Sequence, residues 1–270
     1  AFKASKYVTK LYSTSFYAGV RYLDPKIRND IHAIYGFVRL ADEIVDSFHE
    51  YDKRKLLSEF RQEAYKAIES GISLNPILHS FQISVNKYGI DKELIDQFLN
   101  SMEMDLDPLK YTEDTYSEYI FGSAEVVGLM CLKIFVYGNN EEFEKLKPYA
   151  MKLGSAFQKI NFLRDLKEDV EGLGRIYFPN IDLSGITLED KLAIEKDIQK
   201  EFDEAYIGIK MLPKSSRLGV YVSYVYYTKL LKKIKRKNTK ELMNARIRVS
   251  NNAKVALFAK SYVRNSMNLL

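Results

Sequence analysis

The sequence predicts an all-α fold, on two observations. The 270 residues include only 13 glycines and 6 prolines, too few turn residues for many short strands. Apolar residues also recur at helical spacing through nearly every long segment. With 46% hydrophobic and 29% charged residues, the chain is long enough to bury a large core. Asp24-Pro25 reads as a helix cap followed by a first-turn proline, and the spacing of Ile27, Ile31, Ile34, Tyr35, Val38, Ala41 and Val45 fits one helix from there. Further helices are expected over 53–69, 75–88, 91–105, 113–137, 141–170, 188–210, 215–236 and 244–267. Breaks fall at Gly71, Asn75-Pro76, Asp107-Pro108, Gly138-Asn139-Asn140 and Pro213. The longest irregular stretch, 171–187, holds three glycines and Pro179 and is expected to be an ordered loop over a pocket. With no linker, low-complexity tract or long internal repeat, residues 1–270 are expected to form one domain.

Composition narrows the class of protein. The single cysteine, Cys131, excludes an internal disulfide and any multi-cysteine metal site; it is expected to be a small buried apolar residue. No run of eighteen apolar residues occurs, and AFKASKYVTK lacks the apolar centre of a signal peptide. A cytoplasmic location is therefore expected. The formal charge of +5 is unevenly spread, with seven Lys or Arg and no acid in 229–240. That run is expected to be a solvated helix face, the alternative being peripheral contact with an anionic membrane. Nucleic acid is not expected as a partner, since no recognised motif or stacking platform surrounds the run.

Two acid pairs of identical spacing stand out, Asp42/Asp46 in RLADEIVD and Asp165/Asp169 in NFLRDLKED. Each pair puts two carboxylates one helical turn apart on one face, where their repulsion costs a few tenths of a kcal/mol. Stepping back from Asp46 by helical offsets gives Asp42, Arg39 and Tyr35; Gln158, Asn161, Asp165 and Asp169 follow the same logic. Both polar stripes are flanked by apolar residues, among them Ile34, Val38, Phe157 and Ile160. A stripe so placed is expected to face an internal cavity. Carboxylates and amide oxygens without His or Cys are hard ligands that suit Mg²⁺, usually held by one or two carboxylates with phosphate oxygens. With Arg28, Arg39, Arg164 and Arg175 close by in sequence, the pattern suggests a diphosphate on an apolar body.

The run AIYGFVRLADEIVD, preceded by RYLDPKIR, resembles the first aspartate-rich region of the squalene/phytoene synthase family. AFQKINFLRDLKEDVEGLGRIYFP resembles the second, YSTSFYAG the SxSF segment, and YIFGSAEVVGLM the central helix. A looser match surrounds Tyr227 and Lys254. The resemblance implies a single-domain, all-α isoprenoid-synthase fold with a central cavity, and head-to-head condensation of two allylic diphosphates. It also implies Mg²⁺ (or Mn²⁺) on Asp42, Asp46, Asn161, Asp165 and Asp169. Phosphate contacts or positioning are implied for Ser13, Ser15, Arg28, Arg39, Gln158, Arg164, Arg175 and Lys254, and cavity positions for Tyr35, Tyr119, Tyr177 and Tyr227, with Tyr119 and Tyr177 nearest the chemistry. Glu125 stands where a glycine is frequent; an acid there would narrow the pocket or reach the metal site. The tight GSAEVVGLM helix favours phytoene formation from geranylgeranyl diphosphate, for which NADPH is not expected. Squalene or dehydrosqualene formation from farnesyl diphosphate is the alternative, with NADPH only for squalene. A non-catalytic helical scaffold is disfavoured because all four aspartates are present.

Overall fold

The computed structural model describes residues 1–107, 111–173, 175–179, 181, 186–244 and 246–267. Its helices are α1 (Phe2–Tyr12), α2 (Thr14–Val20), α3 (Pro25–Ser47), α4 (Lys53–Ser70), α5 (Pro76–Tyr88), α6 (Lys92–Met104), α7 (Glu113–Ile120), α8 (Val126–Phe135), α9 (Asn140–Glu168), α10 (Leu188–Met211), α11 (Lys214–Lys235), α12 (Thr239–Asn244) and α13 (Asn251–Ser266). Single π-helical turns follow α7 at Phe121–Glu125 and α9 at Asp169–Leu173. No strand occurs among the described residues. Pro108 and residues 174, 180 and 182–185 of the expected 171–187 loop lie outside the described set.

Local chemistry sets the helix ends. The Asp24 carboxylate accepts the Lys26 amide at 2.8 Å, with Pro25 as first residue of α3. Asn75 accepts the Ile77 and Leu78 amides ahead of Pro76. Gly71 and Gly89 close α4 and α5 in the left-handed conformation, φ +70° and +61°, which glycine adopts without a Cβ clash.

α3 is the central strut, packing on α1, α4, α5, α6 and α8. Phe37, fully buried, stacks on Phe81 at 3.8 Å between centroids and touches Phe60 and Phe98. A second core gathers α9, α10 and α11 around Ile160, Leu163, Phe202 and Leu230. Between these two cores α3 and α9 bring their polar stripes inward.

Three elements differ from expectation. α1 and α2 were not predicted, because α1 buries Ser5 and Thr9 rather than an apolar row: Ser5 Oγ meets Ser80 Oγ at 2.7 Å, and Thr9 Oγ1 donates to the Ser5 carbonyl. The expected helix 113–137 carries a π turn in its middle. The expected helix 244–267 starts only at Asn251. Ahead of it, residues 246–250 form no regular element and alternate in exposure, burying Ile247 and Val249 while Arg246 and Arg248 stay exposed.

Candidate active site

The α3 stripe is held from both ends. Tyr35 stacks on Phe16 of α2 at 4.9 Å, and burial pushes its hydroxyl up to about 12. One turn on, Arg39 lies over the Tyr12 ring at 4.4 Å, 3.6 Å from Asp42, and is bonded to Glu43; its buried Nε has no partner. Burial, then the neighbouring Asp46, raise the Asp42 carboxyl to about 7. Two like charges in poor solvent favour protonation unless a cation compensates.

The α9 stripe mirrors this. Asn161 donates to Gln158 Oε1 at 3.3 Å and accepts the Tyr227 hydroxyl at 3.1 Å, and Tyr227 stacks on Phe157 at 3.9 Å. Asp165 is clasped by Arg164 from its own helix and by Arg246 Nε at 2.8 Å from the 246–250 segment. The π turn after Glu168 starts at Asp169, whose carboxyl is raised to about 7 by burial, then by Asp165 and Asp46. The two acid pairs therefore lie within electrostatic reach of each other, although 119 residues separate Asp46 from Asp165.

Arg175 joins the two sides. Its Nη1 donates to Asp46 Oδ1 at 3.0 Å and to the Tyr177 hydroxyl at 3.3 Å; its Nη2 donates to the Asp105 carbonyl at 2.7 Å. Asp105, buried at the end of α6, accepts the Tyr119 hydroxyl at 2.8 Å, and burial raises its carboxyl to about 7. Tyr119, Tyr177, Tyr111 and Phe162 pack as one aromatic cluster, with Phe162 on Tyr177 at 4.1 Å.

Both stripes begin in a cavity of about 310 Å³ that Tyr35, Gln158, Asn161 and Tyr227 line at its polar end. The remaining wall is apolar, including Leu23, Val127, Leu132, Phe135 and Leu153. A slot with hydrocarbon along its length, and with the acids and arginines of both stripes a helical turn or more beyond its polar end, fits a charged head on an apolar tail. The π turn shapes it: Ser123 and Ala124 line the cavity, as π bulges often do at functional sites.

Not every expected residue is brought in. Arg28 sits near the start of α3, three to four turns before Asp42, and donates Nε to the Leu23 carbonyl. Lys254 lies over the Tyr226 ring at 5.6 Å, outside the cavity lining. Ser13 caps α2 through the Phe16 amide and is also hydrogen-bonded to Tyr35 of the α3 stripe, with Ser15 half-buried beside it. Glu125 neither narrows the cavity nor reaches the aspartates: its carboxyl is raised to about 7 by burial and by Glu201, with Lys152 and Lys159 opposing. Cys131 is more than core filler, for it lines the cavity, its thiol pushed up to about 12 by burial.

The model of the squalene/phytoene synthase family matches residues 9–253. The chain belongs to that family. It is 32% identical over 196 residues to a presqualene diphosphate synthase from Sinorhizobium fredii, covering 69% of this chain and 67% of that one. It is 29% identical over 241 residues to chloroplastic phytoene synthase 2 of Solanum lycopersicum, covering 83% and 77%. Among solved structures, a dehydrosqualene synthase bound to a ligand superposes with TM-score 0.83 at 20% identity, covering 98% of this chain and 96% of that one. The all-α isoprenoid-synthase fold follows, and family members are prenyltransferases.

Two residues of this candidate site escaped the sequence reading. Asp105 sits in MEMDLD, one acid among several and far in sequence from both pairs. Arg246 sits in a basic tail that reads as surface. Only their spatial neighbours, Arg175 and Asp165, mark them out.

The donors present suit a hard cation: aspartate carboxylates with the Asn161 amide oxygen close by on α9, and neither His nor Cys among them. Among the described residues no three acids, histidines or cysteines converge to hold an ion alone. A cation bound here would take part of its shell from water or a ligand's phosphates, the habit of Mg²⁺.

Proposed function

We propose that this chain joins two molecules of geranylgeranyl diphosphate head to head, forming phytoene through a cyclopropylcarbinyl diphosphate. The observation that carries the reading is that the two acid pairs lie within electrostatic reach of each other, with Arg175 bonded to Asp46, beyond the polar end of an apolar cavity. Asp42, Asp46, Asn161, Asp165 and Asp169 would hold Mg²⁺, which when bound supplies positive charge opposite a departing diphosphate. Arg39 and Arg164 add fixed guanidinium groups on the same two stripes, and the unpartnered Arg39 Nε is a donor ready for a phosphate oxygen. Preorganised charge of this kind is commonly the largest catalytic contribution.

The apolar wall has the complementary task of keeping water from an allylic cation. Tyr119 and Tyr177, expected at the cavity, are instead stacked on each other beside Asp105 and Arg175 and lie outside its lining; the rings placed to meet a cation are Tyr35 and Tyr227, for about 2 kcal/mol when desolvated. Attack by the second substrate's double bond, a second ionisation and loss of a proton would complete the product. Similarity to a presqualene diphosphate synthase supports the alternative that farnesyl diphosphate is the substrate.

Product analysis separates the readings. Purified protein with Mg²⁺ is incubated with farnesyl or geranylgeranyl diphosphate, each with and without NADPH. Phytoene from geranylgeranyl diphosphate without NADPH is expected. A C30 product, or a presqualene-type diphosphate, from farnesyl diphosphate alone would replace phytoene synthesis. No condensation with either would refute the reading.

A further inference from the structure

Behind the cavity wall, where the π turn at Phe121–Glu125 meets α9 and α10, lies a group of charged side chains that the condensation does not use. Glu201 of α10, 5% exposed, is its centre. Its Oε1 accepts Ser155 Oγ at 2.8 Å and Lys159 Nζ at 2.9 Å, with Lys152 Nζ at 3.8 Å. Its Oε2 is buried without a partner, which folded proteins rarely leave uncompensated. Glu125, the last residue of the π turn, is half-buried beside this group. A Cβ on Gly154 would lie 3.1 Å from the Glu125 Cα, and the next residue of α9 is the Ser155 that holds Glu201. Glu201 is the charge that Glu125 feels most strongly.

The neighbouring charges do not resolve this conflict. On α9, Lys159 is committed to Asp197 and Glu201, and Lys152 leans on Glu201. From α7, Tyr116 and Glu113 face the same acids and bring no positive charge. On α6, Asp96 and Glu103 are paired with Arg61 of α4, and Lys133 of α8 is paired with Asp91. Two carboxylates in poor solvent, without a cation to spare, favour holding one proton between them. A protonated acid that donates to a carboxylate makes a short, strong hydrogen bond. Glu201 Oε2 is the free acceptor.

We propose that Glu125 and Glu201 share a single proton, Glu125 donating to Glu201 Oε2, and that this bond ties the π turn to α10 and holds the Ser123–Ala124 stretch of the cavity wall in place. The turn packs on α6, α7, α8 and α9, and the shared proton adds α10 to that frame. Ser123 and Ala124 line the cavity just ahead of Glu125, and Ala205 lines it one helical turn beyond Glu201. Loss of the proton sets two negative charges against each other directly behind that wall. Glu125 is thus a positioning residue, acting through the turn that carries it. The proposal does not depend on which diphosphate the cavity takes.

A carboxyl raised from 4.5 to about 7 contributes stability that is complete below pH 4.5 and lost as pH rises through 7. Between pH 6 and pH 8.5 the urea midpoint of the unaltered protein is therefore expected to fall further than that of Glu125→Gln, which keeps a donor for Glu201 but has no proton to lose. Asp42, Asp105 and Asp169 are common to both proteins and cancel in the comparison. Glu125→Ala, with no donor, should be less stable than Glu125→Gln at pH 6. The infrared difference between the unaltered protein and Glu125→Gln at pH 6 should contain a carboxylic-acid carbonyl band that is gone at pH 8.5. For the wall, the uncharged probe N-phenyl-1-naphthylamine is expected to bind the unaltered protein about threefold more weakly at pH 8.5 than at pH 6, and Glu125→Gln equally at both. Midpoints that fall in parallel, no such band, or a Gln variant no better than the Ala variant overturns the shared proton. Probe affinity that ignores pH while the band disappears overturns its hold on the wall.

Discussion

Arg175 has more demands on it than any other side chain in the site: one guanidinium serves Asp46, the Asp105 carbonyl and the Tyr177 hydroxyl. Lysine keeps the charge but loses the planar fork, so Arg175→Lys is expected to lower kcat/KM by about 10²-fold with little change in thermal midpoint. Steady-state kinetics beside a melting curve would show both. A different residue sets the response to acid. His32 is buried on α3 with Nδ1 3.0 Å from Thr9 Oγ1, and burial, then Lys6 and Arg28, depress its pKa from 6.5 to about 4. Between those values the unfolded chain binds the proton that the folded chain refuses. This group's contribution to stability therefore falls as pH drops from 6.5 to 4 and is level outside that window. Urea midpoints at pH 7 and pH 5 are expected to differ less in His32→Gln than in the unaltered protein.

The π turn at Phe121–Glu125 gives Ser123 and Ala124 to the cavity wall, and it depends on a glycine in the neighbouring helix. A Cβ on Gly154 of α9 would lie 2.8 Å from the Ala124 carbonyl oxygen and 3.1 Å from the Glu125 Cα, backbone atoms that cannot step aside. Gly154→Ala is therefore expected to cost about 2 kcal/mol and to reduce activity, because Ser123 and Ala124 line the cavity; denaturant titration would test the first part and turnover the second. Helix α3 was legible from its caps and apolar spacing. Both π turns were not, since an extra residue in one turn barely disturbs an apolar pattern read over six. Helix α1 was hidden for another reason: serine and threonine carry its packing through hydrogen bonds, and hydropathy does not register them.

At the scale of the whole molecule, the acid pairs matter only because the fold brings carboxylates of two distant helices within electrostatic reach of each other. Asp42→Asn or Asp165→Asn is expected to abolish turnover while leaving the far-ultraviolet circular dichroism unchanged, since neither side chain belongs to the hydrophobic core. Full activity in either variant would remove the cation assignment. Chelation with EDTA is expected to stop the reaction and added Mg²⁺ to restore it, measured as released diphosphate. The core is less forgiving. Phe37→Ala, which empties the centre of a four-ring cluster, is expected to cost about 3–5 kcal/mol and to unfold much of the protein near physiological temperature.

The sequence by itself determined the helical class, the two polar stripes and, through its motifs, the family. These are properties of local spacing and side-chain chemistry, and both survive on a one-dimensional chain. Tertiary structure alone decided that Asp46 and Asp169 feel each other's charge, that Asp105 and Arg246 join the site, and that Arg28, Lys254 and Glu125 stand apart from it. Charge and hydrogen bonding act over a few ångströms of space, and the packing of α3 against its neighbours decides which distant residues share that space.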